Sequence, residues 1–553
     1  MVAMDILSAA EMQACDRVTT ERFGVPSLDL MRTASAAVAA FAQTQFPRAR
    51  RVTVLCGRGN NGGDGMMAAR LLAAAGLDVT TLLLAAPSEL TGDAAQAWHE
   101  LTCPPHGLIH IVTAAADLAL HNSALDADLI VDAVVGTGFK PPLKGLALAA
   151  LEWLKPCHAP VLSVDLPSGW PADETSATVA GDVFPSDAVI TFTAPKPVHA
   201  FGQLTRRWDQ PIVVASIGSP EAAIVSQLNL HWAGSALALT QAPRTASANK
   251  GSFGHVLVVG GALGSSGGRT GAPSMASLAA LRSGAGLVTA AVPAPALPLV
   301  AAVAPELMTF PLAGTPAGQI AAGNLAPEVL AALMIGKTVL AIGPGLGQSP
   351  DTIQFTTGLL SATKIPTVID ADALNILATQ PELLARLAKG RTLVLTPHPG
   401  EMARLAGIPI AEVQANRLEV ARGFAQRMGV TLVLKGARTL IAHPGGSVAV
   451  NTSGNPAMAK GGSGDLLTGL VAGLLAQYPA DSARAVEAAV YLHGLAADLA
   501  VQDADQHTLL ATDTLVHFSR AFRFHSCGHT GYVWLQGLSG ESSLATAQDE
   551  VAK

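Results

Sequence analysis

Short β-branched segments alternate with longer stretches rich in alanine and leucine, and this alternation occurs twice along the chain. The segments are apolar throughout, which is typical of strands in a parallel sheet covered by helices on both faces. Strands are predicted at Val52–Cys56, Val79–Leu84, Leu129–Val134, Val161–Asp165, Ala188–Thr193 and Ile212–Ile217, and then at His255–Gly260, Thr338–Ile342, Thr367–Asp370, Thr392–Thr396 and Thr431–Leu434. Helices are predicted near 466–475 and 483–500.

The alternation stops at an uneven polar stretch around residues 241–249 and then restarts. A length of 553 residues also favours more than one domain. We therefore predict two α/β domains, over residues 1–225 and 251–523, joined by a linker over 226–250. The pattern is lost after residue 523, so 524–553 is predicted to be a polar tail.

Composition excludes several classes of protein. Half of the residues are hydrophobic, which excludes a disordered chain, and a net charge of −7 with 4% aromatic residues disfavours nucleic-acid binding. Five cysteines form no CxxC pair, which favours a reducing compartment. The acidic start of the chain is not typical of a signal peptide, and the uncharged stretch Leu287–Pro305 contains four prolines. We predict a cytoplasmic protein without membrane partners.

The first predicted strand runs directly into the glycine-rich loop Gly57-Arg-Gly-Asn-Asn-Gly-Gly-Asp-Gly65. Glycines at such a turn let the backbone approach a ligand closely, and the following helix offers free N–H donors. An alternative is a tight turn in which Asp64 caps the helix. Five glycines and two asparagines exceed what a turn requires, so the loop is interpreted as a binding loop.

Two further strand ends carry polar side chains, with Asp132 at one and Asp165 and Ser168 at the other. Ligands of open α/β sheets bind outside the carboxyl ends of the strands. Asn61, Asp132 and Ser168 could together supply oxygen ligands to a hard cation. Taken alone, each aspartate is equally well explained as a loop or capping residue.

The motifs GNNGGDG, VDAVVGTG and VDLPSG resemble the NAD(P)HX epimerase family (YjeF N-terminal) over residues 5–220. This implies a Rossmann-like three-layer domain that interconverts the R and S forms of hydrated NADH or NADPH, called NAD(P)HX, with bound K⁺. The resemblance assigns K⁺ to Asn61, Asp132 and Ser168. It assigns the hydrated nucleotide to Asn60, Asn61, Gly62, Gly63, Asp64, Gly136, Thr137, Gly138, Phe139, Lys140, Pro141, Pro142 and Asp165. Epimerisation needs an acid and a base beside the ring, and Asp165 is the best candidate.

In the second half, Gly461–Gly464 directly precedes an apolar helix, so successive N–H groups can form an anion site. Asp465 follows on the first turn, where a carboxylate would repel a phosphate that is merely bound. It suits a base that takes a proton from a hydroxyl attacking a γ-phosphoryl group. The alternative is an acid that only favours the helix dipole. No Walker-type GxxxxGK[ST] motif is present.

Together with Gly343-Pro-Gly-Leu-Gly347, Asp370-Ala-Asp-Ala-Leu-Asn375 and Thr396-Pro-His-Pro-Gly-Glu401, this loop resembles the ADP/ATP-dependent NAD(P)HX dehydratases of the ribokinase-like superfamily, over residues 240–520. The resemblance implies that the hydroxyl of S-NAD(P)HX is phosphorylated, with Asp465 as base and Mg²⁺ bridging the phosphates, and that phosphate then leaves. It assigns NAD(P)HX to Ala272, Gly345, Gly347, His398 and Asp465. It assigns ADP or AMP to Lys435, Gly436, Ala437, Arg438, Thr439 and Gly464.

Several alternatives remain open from the sequence. Asp370 and Asp372 could merely cap the following helix, and His398 could be a loop histidine bonded to backbone. The second half could be a vitamin-precursor or sugar kinase, and the first a non-catalytic nucleotide-binding module. The predicted partners are small molecules, NADHX, NADPHX and ADP or ATP, and a homo-oligomer is left open. His525, Cys527 and His529 lack a fourth ligand and are not interpreted as a metal site.

Overall fold

The structure is a computed structural model that describes residues 3–104, 107–265, 267–526 and 531–538. These residues form two compact units. One unit is built from Met4–Leu230 with the described residues from His525 onward, and the other from His231–Phe524. No helix in the described part of the chain is long and apolar enough to cross a membrane.

The first unit is a parallel sheet with helices on both faces. Its strands are β1 (Arg51–Cys56), β2 (Asp78–Leu83), β3 (Leu108–Ile111), β4 (Leu129–Ala133), β5 (Val161–Val164), β6 (Ala188–Phe192) and β7 (Ile212–Ala215). Its helices are α1 (Ala9–Glu21), α2 (Ser27–Gln45), α3 (Asn60–Ala74), α4 (Gly92–Leu101), α5 (Gly145–Leu154) and α6 (Pro197–Phe201). Within β1, Val52, Val54 and Cys56 pack in the cluster that contains α2–α4, whereas Leu55 packs in the cluster that contains α5.

The strand order is β3-β2-β1-β4-β5-β6-β7, and all these neighbours are parallel. The order reverses between β1 and β4, so the loops that follow these two strands flank one crevice. The six predicted strands are present with shifts of one or two residues. The edge strand β3 was not predicted; its Leu108 and Ile111 are exposed, so it lacks a buried apolar pattern.

The second unit has the strands β8 (Leu230–Trp232), β9 (His255–Val259), β10 (Leu263–Gly264), β11 (Gly267–Gly268), β12 (Leu287–Pro293), β13 (Met308–Leu312), β14 (Val339–Ile342), β15 (Thr367–Ile369), β16 (Leu393–Leu395), β17 (Thr431–Leu434), β18 (Leu440–Ala442) and β19 (Val448–Val450). Its helices are α7 (Ala238–Gln241), α8 (Gly271–Arg282), α9 (Leu297–Ala301), α10 (Pro327–Met334), α11 (Pro350–Ala362), α12 (Ala371–Ala378), α13 (Pro381–Leu387), α14 (Pro399–Ala406), α15 (Ile410–Ala415), α16 (Arg417–Met428), α17 (Ser463–Gln477), α18 (Ser482–Ala500) and α19 (Thr514–Arg523).

The main sheet of this unit has the order β13-β12-β9-β14-β15-β16-β17-β18-β19-β8. It is parallel from β13 to β17 and antiparallel from β17 to β19. The order reverses between β9 and β14, which creates the second switch point. Residues 226–250 are not the predicted linker, since Leu230–Trp232 joins the sheet as β8. Trp232 is buried, and its Nε1 donates to Thr452 Oγ1 at 2.8 Å.

The prediction of a polar tail from residue 524 is wrong for its described part. Tyr532–Gln536 forms a strand, β20, that pairs antiparallel with β7 at the edge of the first sheet. The rings of Tyr532 and Trp534 pack edge-on against Phe41 of α2, at centroid distances of 5.5 and 6.2 Å. The Tyr532 hydroxyl donates to the carbonyl of Ala37 at 3.0 Å. Burial of the two aromatic side chains stabilises this strand, although the polar residues on either side of it suggested a tail.

Candidate functional sites

Close backbone packing requires glycine at two positions of the loop after β1. A Cβ at Gly62 would lie 1.8 Å from the carbonyl oxygen of Gly57, and one at Gly57 would lie 2.0 Å from that of Val134. Helix α3 begins at Asn60 with Gly59 as its N-cap, and no side chain caps it. The alternative in which Asp64 caps this helix is therefore wrong, because Asp64 lies within the helix.

A cavity of about 910 Å³ lies at the first switch point. The loops after β1 and β4 line it, together with residues of α1, α2 and α5. The predicted binding residues in its wall are Asn60, Asn61, Asp64, Gly136, Thr137, Gly138, Phe139, Lys140, Pro142 and Asp165. Gly62, Gly63 and Pro141 are not in the wall; a Cβ at Gly63 would meet Met31 at 2.7 Å, so this glycine serves helix packing.

Asp165 follows β5 and is held by four side-chain or backbone donors. Its Oδ1 accepts from Lys196 Nζ at 2.9 Å and Thr191 Oγ1 at 3.0 Å. Its Oδ2 accepts from the N–H and Oγ1 of Thr137 at 2.8 and 2.6 Å. Its φ of +69° lies in the left-handed region, which aspartate tolerates better than most residues. Strained backbone of this kind is typical of functional sites.

The surrounding charges keep Asp165 ionised. Burial alone would raise the pKa of this carboxyl, but Lys196 and the hydrogen bonds hold the pKa well below its ordinary value. His199 Nδ1 accepts from the Lys196 N–H at 3.0 Å, so its Nε2 donates to the Asp165 carbonyl at 2.7 Å. Burial and Lys196 lower the pKa of His199 to about 4. Asp165 is thus held as the anion of a buried ion pair, and the acid–base role predicted for it stays a prediction.

Asp132 and Ser168 form a buried pair behind the cavity. Ser168 Oγ donates to Asp132 Oδ1 at 2.6 Å, and the Ser168 N–H donates to Oδ2 at 2.8 Å. Burial raises the pKa of Asp132 to about 6, although these hydrogen bonds oppose the shift. Asn61 differs, since its amide oxygen and nitrogen are buried and have no hydrogen-bond partner among the described residues.

Two charged residues of this cavity were not predicted. Lys196, which is 2% exposed, follows β6 in the segment Thr193-Ala-Pro-Lys-Pro197, and a lysine at a strand end was a signal that could have found it. Asp16 lies on α1 and also lines the cavity. No motif surrounds Asp16, so only the tertiary structure reveals it.

In the second unit, α17 begins at Ser463 after Gly462, whose φ is +99°. The first turn of a helix leaves its N–H groups without intrahelical acceptors. A Cβ at Gly464 would lie 3.4 Å from Lys435 Nζ, so an ammonium group stands beside these donors. Asp465 lies on the same turn. Helix start and ammonium group together form an anion site next to a carboxyl group.

The environment of Asp465 suits a base. Burial and the nearby Asp370 raise the pKa of its carboxyl to about 7, while Lys435 acts in the opposite direction. A group with this pKa is partly deprotonated near neutral pH and still accepts protons efficiently. Asp465 therefore combines a suitable pKa with a position at the anion site.

Asp370 occupies the N-cap position of α12, but its side chain makes no capping hydrogen bond, and Asp372 lies inside the helix. The alternative in which these aspartates merely cap the helix is therefore wrong. Asp370 accepts from Lys435 Nζ at 2.9 Å and from Thr468 Oγ1 at 2.8 Å. Asp372 accepts from the Gly347 N–H at 2.8 Å. Both carboxylates thus connect separate loops at the carboxyl edge of the sheet.

The structure brings three predicted binding positions together near Arg269. A Cβ at Gly345 would lie 2.7 Å from the Arg269 carbonyl oxygen and 3.4 Å from the Ala272 Cβ. A Cβ at Gly347 would lie 2.8 Å from Arg269 Nη2. A side chain at Gly345 would fill the space beside Ala272, and one at Gly347 would collide with the Gln319 and Arg269 side chains.

His398 caps α14. Its Nδ1 accepts from the N–H groups of Gly400 and Glu401 at 3.0 and 3.3 Å, as the alternative of a backbone-bonded loop histidine predicts. Its Nε2 therefore carries the proton, and the side chain is 52% exposed. The predicted role of His398 in binding NAD(P)HX stays a prediction.

The predicted nucleotide loop Lys435–Thr439 connects β17 and β18. Arg417 donates to the carbonyl of Lys435 at 3.4 Å, and Arg438 donates to that of Thr452 at 3.1 Å. The Lys435 side chain is directed to Asp370 instead of the loop. The predicted role of this loop in binding ADP or AMP stays a prediction.

Comparisons with known proteins bear on both units. Residues 27–198 match a family described as YjeF-related protein N-terminus, and residues 256–518 match NAD(P)H-hydrate dehydratase. The bifunctional NAD(P)H-hydrate repair enzyme Nnr of Moorella thermoacetica is 41% identical over 93% of this chain and 95% of its own. The enzyme of the same name from Escherichia coli is 34% identical over 91% of each chain.

A solved structure, the ADP/ATP-dependent NAD(P)H-hydrate dehydratase from Bacillus subtilis co-crystallised with ATP and Mg²⁺, is 34% identical, with a TM-score of 0.44. It covers 53% of this chain and 96% of that chain.

Two parallel α/β units, each with glycine loops and charged side chains at a switch point, define a two-domain ligand-binding protein of the Rossmann-like and ribokinase-like type. The relatives that match more than nine-tenths of the chain at 41% and 34% identity narrow this class to one family. The chain belongs to the family of bifunctional NAD(P)H-hydrate repair enzymes.

Proposed function

We propose that this chain repairs hydrated nicotinamide nucleotides in two steps. The first unit interconverts R- and S-NAD(P)HX, and the second dehydrates S-NAD(P)HX to NAD(P)H at the expense of ADP or ATP. The observation that carries the proposal is the position of Asp465, at the anion site on the first turn of α17 and beside Lys435. The second step consumes one epimer only, which explains why an epimerase is joined to it.

The dehydratase reaction follows from this geometry. Asp465 takes the proton of the substrate hydroxyl as its oxygen attacks the terminal phosphoryl group. The N–H groups at the start of α17 and the Lys435 ammonium stabilise the negative charge on the phosphoryl oxygens. The carbon–oxygen bond of the phosphate ester then breaks and phosphate leaves. The neighbouring ring carbon loses a proton to solvent, and the electron pair of that C–H bond forms the double bond that restores the dihydropyridine ring. Ala272, Gly345, Gly347 and His398 are proposed to hold the hydrated nucleotide, and Lys435–Thr439 with Gly464 to hold ADP or ATP.

Mg²⁺ is proposed to enter with the nucleotide. The Asp370 carboxylate already accepts from Lys435 and Thr468, so it is engaged by the protein's own donors. Mg²⁺ commonly binds through one or two carboxylates, substrate phosphates and water. When bound, it neutralises charge on the phosphates.

K⁺ is proposed to bind in the first unit. The buried amide oxygen of Asn61 has no partner among the described residues. A Cβ at Gly136 would lie 3.2 Å from this oxygen and 2.9 Å from Asp165 Oδ2, so the two groups converge. With Asp132 and Ser168 nearby in the fold, amide, carboxylate and hydroxyl oxygens form a donor set that suits a hard cation. The ion would fix the loop after β4 and so orient the nucleotide.

The test supplies the purified chain with mixed R- and S-NADHX, Mg²⁺, K⁺ and either ADP or ATP. Recovery of reduced-nicotinamide absorbance measures dehydration, and chromatography resolves the epimers. We expect recovery from both epimers, faster than spontaneous epimerisation permits. Recovery from the S form alone would contradict the epimerase assignment. No recovery with either nucleotide would contradict the dehydratase assignment. It would favour the small-molecule kinase alternative, which family membership over both units otherwise disfavours.

A further inference from the structure

Asp16 is a charged residue of the first cavity that the proposed function does not use. It lies on α1, lines the same cavity as Asp64, Asp165 and Lys196, and falls outside the residues matched by the family model. Its Oδ1 is buried and has no hydrogen-bond partner among the described residues. An unsatisfied buried carboxylate oxygen costs free energy, so its presence in a binding cavity requires an explanation.

The neighbours of Asp16 are committed to other partners. Lys196 Nζ contacts Asp165 Oδ1 at 2.9 Å and Thr191 Oγ1 at 2.8 Å, and Asp165 is saturated with donors. Burial raises the pKa of Asp16, Lys196 opposes this shift, and Asp165 adds to it. Asp64 on α3 and the Cys15 thiol on α1 are the other titratable groups that interact with Asp16. The cavity thus holds the Asp165–Lys196 ion pair and two carboxyl groups, Asp16 and Asp64, whose pKa values burial raises. Of these two carboxyl groups, Asp16 is the one with a buried oxygen that has no partner among the described residues.

Epimerisation of NAD(P)HX needs a group that exchanges protons with the leaving hydroxyl and a charged group that positions the ring. We propose that the Asp16 carboxyl exchanges a proton with the ring hydroxyl of NAD(P)HX as it leaves and returns, while the Asp165–Lys196 ion pair positions the ring. This rests on the proposed epimerase function. It replaces Asp165 as the acid–base group by a residue whose oxygen is free to accept a hydrogen bond.

The proton and electron balance closes without a co-reactant. Asp16 donates its proton to the hydroxyl oxygen, the carbon–oxygen bond breaks, and water leaves. The lone pair of the adjacent ring nitrogen forms a double bond to that carbon, and the Asp165 carboxylate stabilises the positive charge. Water adds to the opposite face of the carbon, the electron pair returns to nitrogen, and the released proton returns to Asp16.

The test compares Asp16→Asn, Asp16→Glu and Asp64→Asn in the full-length protein. R-NADHX is supplied with K⁺ and without ADP or ATP, and chromatography follows the approach to the epimer equilibrium. The control is Glu21→Gln, an exposed acid-to-amide change on the same helix. Dehydration of S-NADHX with ADP, measured on every variant, shows that the rest of the chain is intact.

We expect Asp16→Asn to lower kcat for epimerisation by about 100-fold or more, as the loss of a general acid–base group does, with little change in KM. One limb of the pH profile should disappear, and Asp16→Glu should restore part of the rate. Full activity of Asp16→Asn, or a loss that leaves the pH profile unchanged, would overturn the proposal. The proposal would also be overturned if this limb of the pH profile disappeared in Asp64→Asn but remained in Asp16→Asn. Absence of epimerisation in the wild type would instead refute the epimerase function itself.

Discussion

At the scale of single residues, two charged neighbours of opposite sign set the protonation of Asp465. Burial and Asp370 raise the pKa of this carboxyl to about 7, and Lys435 opposes them. Because Lys435 and Asp370 also contact each other at 2.9 Å, a change at either residue alters the field at Asp465. Substitutions of Lys435 and Asp370 are therefore expected to shift the pKa of Asp465 in opposite directions.

Asp465→Asn keeps the shape of the side chain and removes its basicity. We expect kcat for S-NADHX dehydration to fall by about 100-fold or more, while ADP still binds. Turnover is measured by reduced-nicotinamide absorbance and ADP binding by calorimetry. Glu306→Gln, an exposed acid-to-amide change in the same unit, should leave turnover unchanged. Full turnover in Asp465→Asn would contradict the assignment of the base.

The pH dependence of dehydration should follow the same carboxyl. The base form of Asp465 is lost as pH falls through its pKa of about 7, so kcat/KM should fall toward lower pH. Lys435→Met removes the cation that lowers this pKa and should move the limb to higher pH. Asp370→Asn removes the anion that raises it and should move the limb to lower pH. Parallel shifts in the two variants would contradict this electrostatic account.

The sequence identified several residues that the structure places at the two switch points, because glycine loops and strand ends are local in the chain; the binding and catalytic roles of these residues stay predictions. Asp165 and Asp465 were found from such motifs. Lys196 and Asp16 were missed because their importance depends on contacts between distant segments. The acid–base role predicted for Asp165 also depended on an ion pair that no local pattern reveals.

At the scale of elements, α17 reaches its position because it packs very closely on α8. A Cβ at Gly469 would lie 1.9 Å from the carbonyl oxygen of Ala276, and one at Gly473 would lie 1.9 Å from Ser283 Oγ. These glycines allow the two helix backbones to approach. The approach in turn sets the start of α17, where Asp465 lies.

Gly469→Ala should therefore destabilise the second unit by about 3 kcal/mol, because the new methyl group meets backbone that cannot move aside. Gly423 provides the matched control, since it also lies inside a helix but has nothing within 4 Å of its Cβ position. Gly423→Ala should stabilise the chain by up to about 1 kcal/mol through helix propensity. Scanning calorimetry measures both, and equal effects would contradict the packing argument.

The strands that the sequence predicted correctly are those buried on both faces, such as β4 and β14. Their continuous apolar runs are visible without tertiary information. Among the strands that were not predicted, β3 and β20 lie at the two edges of the first sheet, and β13 and β8 lie at the two edges of the second. The buried strand β12 was also missed, although most of its residues are apolar. In β3 the exposed side chains of Leu108 and Ile111 leave no buried apolar pattern, so this edge strand resembles a loop in the sequence.

At the scale of the whole molecule, two separate segments of the chain build the first unit. It leaves after Leu230, builds the second unit, and returns to add β20 beside β7. The first sheet is therefore complete only when residues 532–536 are present. This placement makes the last described strand part of the stability of the first unit.

Truncation after Phe524 should lower the thermal stability of the first unit, since it exposes Phe41 and the edge of β7. The control ends at Leu538 and keeps β20. We expect epimerase activity to be lost at lower temperature in the shorter chain, while dehydratase activity retains its wild-type temperature profile. Identical inactivation of the two truncated chains would contradict a stabilising role for β20.

The position of β20 also has a consequence for synthesis on the ribosome. Strand β7 emerges early, but its final neighbour is made only after the entire second unit. At about 5–20 residues per second, roughly 15–60 s separate the two strands. During this interval the first sheet presents an unpaired edge, which is a template for association with other chains. The nascent protein is thus expected to depend most on chaperones while its second half is still being translated.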